Sequence, residues 1–145
     1  MATKNKTITF FTPKTTSGNG AILIDVGISA GFPSPADDFK ETRISLDDEL
    51  ITNKDATFFA KVSGQSMIGA GLDDNDLLVI DRSLEPTNNK IAVCFLDGEF
   101  TVKRLRVEGN DVWLQPENPD YPVIKITEET DLVIWGIVTS VIKKV

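Results

Sequence analysis

The chain has 145 residues, of which 41% are hydrophobic and 26% charged, enough for one domain with a real core plus an arm and too few for two full domains. Its net charge of −7 weighs against direct binding to nucleic-acid phosphates, which relies on clustered Lys and Arg. No run of about 18 apolar residues is present to span a membrane, the apolar residues after Lys4 and Lys6 are too few for a signal peptide, and a single cysteine, unable to form an intrachain disulfide, fits a reducing cytoplasm.

In chain order, residues 1–20 are rich in Thr, Ser, Asn, Lys and Gly, with few apolar side chains beyond Ile8, Phe10 and Phe11, and a mobile arm is predicted there. Residues 1–30 carry Lys4, Lys6 and Lys14 against Asp25, a balance of +2 that leaves −9 on the rest of a chain of net −7. Opposite signs allow the arm to be held against the body partly by electrostatics. Residues 21–31 turn apolar, with Ile22, Leu23, Ile24, Val26 and Ile28. Such β-branched content favours an extended segment able to add to a sheet edge. Pro33 and Pro35 keep the next stretch from becoming helical. Ser45-Leu46-Asp47-Asp48-Glu49-Leu50 offers a capping pattern for one short helix. No second helical pattern precedes residue 57, so a helix-turn-helix domain is not expected.

From residue 57 onward, short apolar runs alternate with turn signals. They cover 57–62, the run after the Asp73–Asp76 turn cluster, 91–96, 99–105, 111–115, 123–127 and 132–143. The fold class predicted is therefore mainly β: a compact, highly curved body with one short helix and an extended N-terminal arm. Cys94, in an apolar run, is expected in the core, and Trp113 and Trp135 as core or interface anchors. Neither a cofactor nor a metal is expected. No Cys or His cluster is available for zinc, and Asp73-Asp74-Asn75-Asp76 lacks the full calcium-loop pattern.

The chemistry centres on Ser63-Gly64-Gln65-Ser66-Met67-Ile68, where the strand ending at Val62 runs into a turn that presents a hydroxyl. The local pattern suits an ordinary turn serine as well as a nucleophile. Serine needs a base to become nucleophilic, and the chain has no histidine, which excludes a Ser-His-Asp triad and leaves lysine. Lys103 follows the Asp97-Gly98 hairpin turn on a strand where Thr101, Lys103 and Leu105 share one face. Small and apolar neighbours there favour a neutral amine, the form that acts as general base. A solvated strand lysine is the plain alternative.

Four stretches together carry a resemblance: Gly31-Phe32-Pro33-Ser34-Pro35-Ala36-Asp37, Phe59 to Ile68, Asp74 to Asp81, and Asp97 to Leu105. Over residues 30–145 the chain resembles the LexA/UmuD family of self-cleaving serine–lysine peptidases. The resemblance implies Ser66 as nucleophile, Lys103 as its base, and backbone N–H groups of Gln65 and Ser66 as oxyanion donors. It places the cut between Ala30 and Gly31, dividing an arm, 1–30, from a peptidase domain, 31–145. It further implies a homodimer, activation by a RecA filament on single-stranded DNA, and a cleaved form that joins a UmuC-like Y-family translesion polymerase in the SOS response. Without a helix-turn-helix, a LexA-like repressor is not expected. Residues 1–20 do not follow the family pattern. Two other readings stay open: a non-catalytic regulatory module docking on a polymerase or repressor, and a peptidase acting on other proteins.

Overall fold

The computed structural model describes residues 9–14, 21–24 and 41–145. They fall into two compact units, one holding residues 9–13 and 53–145 and the other holding residues 14, 21–24 and 41–52.

The larger unit contains β1 (Thr9–Phe11), β4 (Thr57–Lys61), β5 (Leu77–Asp81), β6 (Ile91–Leu96), β7 (Glu99–Glu108), β8 (Asp111–Gln115), β9 (Ile124–Lys125) and β10 (Leu132–Ile142). They form one antiparallel sheet in the order β1-β4-β5-β10-β6-β7-β8-β9, the mainly β architecture expected. Two long strands each change neighbours along their length. β10 pairs with β6 over Leu132 to Ile137 and with β5 over Ile137 to Ile142. β7 pairs with β6 over Glu99 to Arg104 and with β8 over Arg104 to Glu108. Register shifts next to Trp135 and Thr139 bend β10 where it crosses over. Between them stands Gly136, whose missing side chain lets the strand approach Ile80: a Cβ there would lie 2.6 Å from Ile80 Cγ2.

This curvature covers β6 on both faces, and Ala92, Val93 and Cys94 are fully buried. Val93 and Val102 join Ala60, Leu78, Ile80, Met67 and Leu72 in one cluster. Ala92 and Cys94 join Leu105, Leu114 and Ile137 in the other. Cys94 is thus the core residue its apolar run predicts. Burial pushes its thiol pKa up to about 12, against a smaller opposing pull from Lys103, so the group stays a thiol.

Residues 9–11, expected within a mobile arm, instead extend the sheet as β1, with Phe10 opposite Ala60 on the edge of β4. Phe10 stacks 4.5 Å from the Trp135 ring centroid and 4.9 Å from that of Phe100. Polar composition around this segment concealed a single aromatic with a ready-made seat, and that burial offsets the entropy of ordering a short strand. The expected strand at 123–127 shortens to β9, since Pro122 precedes it and Thr127 turns back to Thr130.

In the smaller unit, β2 (Ala21–Ile24) pairs antiparallel with β3 (Glu41–Ile44), so residues 21–24 of the apolar segment are extended as predicted and have β3 as their partner, while residues 25–31 lie outside the described residues. The predicted helix is α1 (Leu46–Leu50). Ser45 stands at its N-cap without a side-chain hydrogen bond, so the capping box is not formed.

Candidate active site

The turn after β4 is held from several sides. Gly64 adopts φ +112°, open to glycine and strained for other residues, and its N–H donates to Asp74 Oδ1 at 2.9 Å. Val62 exchanges backbone hydrogen bonds with the acidic turn, accepting from Asn75 and donating to Asp76. Met67 is buried in the core and pins the far side of the turn, while Ser66 is half-buried and Gln65 exposed. The acidic turn is itself clamped, because Lys143 Nζ donates to Asp73 Oδ2 at 2.7 Å and to Asp76 Oδ2 at 2.6 Å. Burial alone would raise the Asp76 pKa, but hydrogen bonds from Lys143 and from the Asp73 N–H outweigh it and bring it below the usual carboxylate value. The same carboxylates raise the pKa of Lys143.

Lys103 comes from the half of β7 that precedes its pairing with β8. It is only 7% exposed. Its Nζ lies 3.1 Å from Ser66 Oγ, 2.8 Å from Thr101 Oγ1 and 3.1 Å from the Val102 carbonyl oxygen. Thr101 and Lys103 meet because they are two apart on a strand and therefore share a face. A neutral amine donating to Val102 and Thr101 turns its lone pair to Ser66. That arrangement can take a proton from the hydroxyl.

Ser63 to Met67, Phe100 to Lys103, and Tyr121 line a small cleft of about 40 Å³ over the Ser66–Lys103 contact. An adjoining cleft of about 260 Å³ is walled by Leu96, Phe100, Pro122 and Ile124, with Glu99 beside them. Apolar walls beside an accessible hydroxyl suit an extended peptide segment rather than a charged metabolite. Among the described residues there is no group of His, Cys, Asp and Glu able to hold a metal ion.

The sequence-predicted Ser66 and Lys103 are therefore brought into hydrogen-bond contact, and Gln65 lines the cleft beside them. Ala30 and Gly31 lie outside the described residues. Sequence reasoning missed Thr101 as a partner of the lysine and the loop of residues 116–122. In that loop Asn118 Nδ2 donates to the Gln65 carbonyl at 2.8 Å and the Glu117 carbonyl accepts from the Gly69 N–H at 2.7 Å. Thr101 was findable from its i, i+2 relation to Lys103; nothing in the local pattern brings Asn118 to Gln65.

Comparison with known proteins bears on this geometry. The model of the family described as peptidase S24-like matches residues 22–139. Protein MucA of Salmonella typhimurium is 42% identical over 113 residues, covering 77% of this chain and 77% of that protein. Protein ImpA of Shigella flexneri is 42% identical over 115 residues, covering 79% of this chain and 78% of its own. The LexA repressor of Acidithiobacillus ferrooxidans is 36% identical over 119 residues, which is 80% of this chain and 58% of the repressor. With a serine and a lysine in contact beneath a small cleft and these matches across most of its length, the chain belongs to the peptidase S24-like family, as a UmuD-like member of the LexA/UmuD group of self-cleaving serine peptidases.

Proposed function

We propose that Ser66 and Lys103 form the catalytic dyad and that the substrate is the chain's own arm, cut between Ala30 and Gly31. The observation that carries this reading is the 3.1 Å contact between Lys103 Nζ and Ser66 Oγ in a chain that has no histidine. Ser66 Oγ attacks the Ala30 carbonyl carbon as Lys103 takes the hydroxyl proton. The tetrahedral oxyanion is met by the backbone N–H groups of Gln65 and Ser66. Collapse breaks the C–N bond, and Lys103 returns the proton to the leaving amine of Gly31. Water, deprotonated by the same amine, then hydrolyses the Ala30 ester and restores Ser66.

Residues 31–145 are on this reading the mature protein, a homodimer, and residues 1–30 the segment whose removal activates it. Its relatives support a role in SOS mutagenesis. A RecA filament on single-stranded DNA would stimulate the cut, and the processed form would serve a UmuC-like Y-family polymerase. Intact mass after incubation with and without the activated filament tests both parts: fragments of residues 1–30 and 31–145, formed faster with the filament, are expected. A new N-terminus other than Gly31 overturns the site, and a rate indifferent to the filament overturns its role.

A further inference from the structure

Residues 116–122, between β8 and β9, grip the Ser66 turn on both sides. Upstream, Asn118 Nδ2 donates to the Gln65 carbonyl at 2.8 Å, a closer approach than the 3.4 Å of the Ile68 N–H to the same oxygen. Downstream, the Gly69 N–H donates to the Glu117 carbonyl at 2.7 Å, and a Cβ on Gly69 would lie 2.6 Å from that oxygen, so the two segments touch backbone to backbone. The gripping loop is itself anchored. Arg104 pairs with the Glu117 carboxylate and reaches the Asn89 carbonyl at 2.7 Å. Within the loop, the Asp120 N–H donates to Asn118 Oδ1 at 3.0 Å, which fixes the side-chain amide with its oxygen towards Asp120 and its N–H towards Gln65.

The carbonyl of Gln65 and the N–H of Ser66 belong to one planar trans peptide unit and point in opposite directions. Holding the carbonyl on Asn118 therefore turns the Ser66 N–H to the other side. We propose that Asn118 is a positioning residue for self-cleavage: through the Gln65 carbonyl it holds the Gln65–Ser66 peptide so that the Ser66 N–H faces the oxyanion that forms on the scissile carbonyl. The proposal rests on Ser66 being the nucleophile. The Asn118 side chain bonds to the Gln65 carbonyl and the Asp120 N–H, so on this proposal it acts on the oxyanion donor and leaves the dyad's proton transfer alone.

Two substitutions separate this role from that of an ordinary turn residue. Asn118→Asp keeps an oxygen for the Asp120 N–H and removes the donor to Gln65, whereas Asn118→Ala removes both. In the full chain, first-order self-cleavage should slow in both variants by roughly 10- to 100-fold, short of the about 10²- to 10³-fold seen when an oxyanion donor is lost outright. In a Ser66→Cys background, alkylation by iodoacetamide forms no oxyanion, so adding Asn118→Asp should leave that rate unchanged; buried Cys94 serves as the unreactive internal control. Wild-type cleavage by Asn118→Asp would overturn the proposal, because the turn alone would then suffice. So would alkylation that falls in step with cleavage, which would mean that the whole turn had shifted. Undiminished cleavage by Ser66→Ala would instead overturn the dyad, a separate and recognisable failure.

Discussion

Thr101 stands two residues ahead of Lys103 on the same face of β7, and its Oγ1 accepts a hydrogen bond from Lys103 Nζ at 2.8 Å, closer than the nucleophile candidate itself. The buried amine is thereby held on the Ser66 side of the strand. Thr101→Val keeps the branched shape and removes the acceptor. The first-order cleavage rate should fall roughly five- to tenfold, the equivalent of one net hydrogen bond of about 1–1.5 kcal/mol. A rate equal to wild type in a folded variant would show that Val102 and packing suffice to aim the lysine.

Ser66→Ala and Lys103→Ala should each abolish cleavage, and the double variant should be no worse than either single one, because base and nucleophile act as a unit. Intact mass over time supplies the rates, and circular dichroism shows that the sheet persists. Near-wild-type cleavage by either single variant is incompatible with the dyad.

An amine serves as base only when neutral, and an ordinary lysine amine titrates near pH 10.4. Unassisted cleavage should therefore quicken as pH rises from about 7 towards 10. A flat or falling profile in protein that stays folded over that range would count against a lysine base.

The clasp between Lys143 and the carboxylates of Asp73 and Asp76 should leave its own mark on stability. The folded pKa of Asp76 is lowered, so its contribution is present above the unfolded carboxylate range and lost as pH falls through the folded value. The folded pKa of Lys143 is raised above 10.5, so its contribution is present below that value and lost only as pH rises through the raised one. Lys143→Met should lower Tm at neutral pH, and the difference from wild type should shrink as the carboxylates are protonated. An unchanged difference at acid pH would mean that packing of the lysine stem, not charge, was lost.

Gly69 and Gly136 give a matched pair. At both, an added Cβ would meet another atom at 2.6 Å: the Glu117 carbonyl oxygen in the first case and Ile80 Cγ2 in the second. Gly136→Ala overpacks the core and should cost about 1–3 kcal/mol in denaturant titration. Gly69→Ala lies on an exposed turn and should act mainly on cleavage, by pushing residues 116–122 off the Ser66 turn. The pairing fails if the two substitutions have the same ratio of stability loss to rate loss.

Much of the sheet was legible because alternation and turn residues are local. Asp97 and Gly98 both take positive φ, as a two-residue hairpin requires, and from there the phase of β7 placed Thr101 beside Lys103. The Ser66–Lys103 contact was legible for a different reason: with no histidine to choose, the basic partner came by elimination and family likeness. Neither β1 nor the grip of Asn118 on Gln65 was readable. Each joins segments about fifty residues apart, Phe10 to Ala60 and Asn118 to Gln65, and depends on which edge of which strand lies nearby. Propensity carries no information about that. The capping box at Ser45 failed for a related cause, since a five-residue helix has its geometry set by its neighbours more than by its own first turn.

β1 gives the proposed cut a consequence of its own. Phe10 lies on the N-terminal side of Ala30–Gly31, yet its ring is lodged against Trp135 and Phe100 of the body. While the chain is continuous, the strand sits beside β4 at an effective concentration set by its tether, on the order of millimolar for short tethers. Hydrolysis at Ala30–Gly31 would nick the protein without evicting the strand. It would replace that fixed local concentration by whatever the solution holds, so that dilution, and not bond cleavage, would decide when the edge of β4 falls vacant.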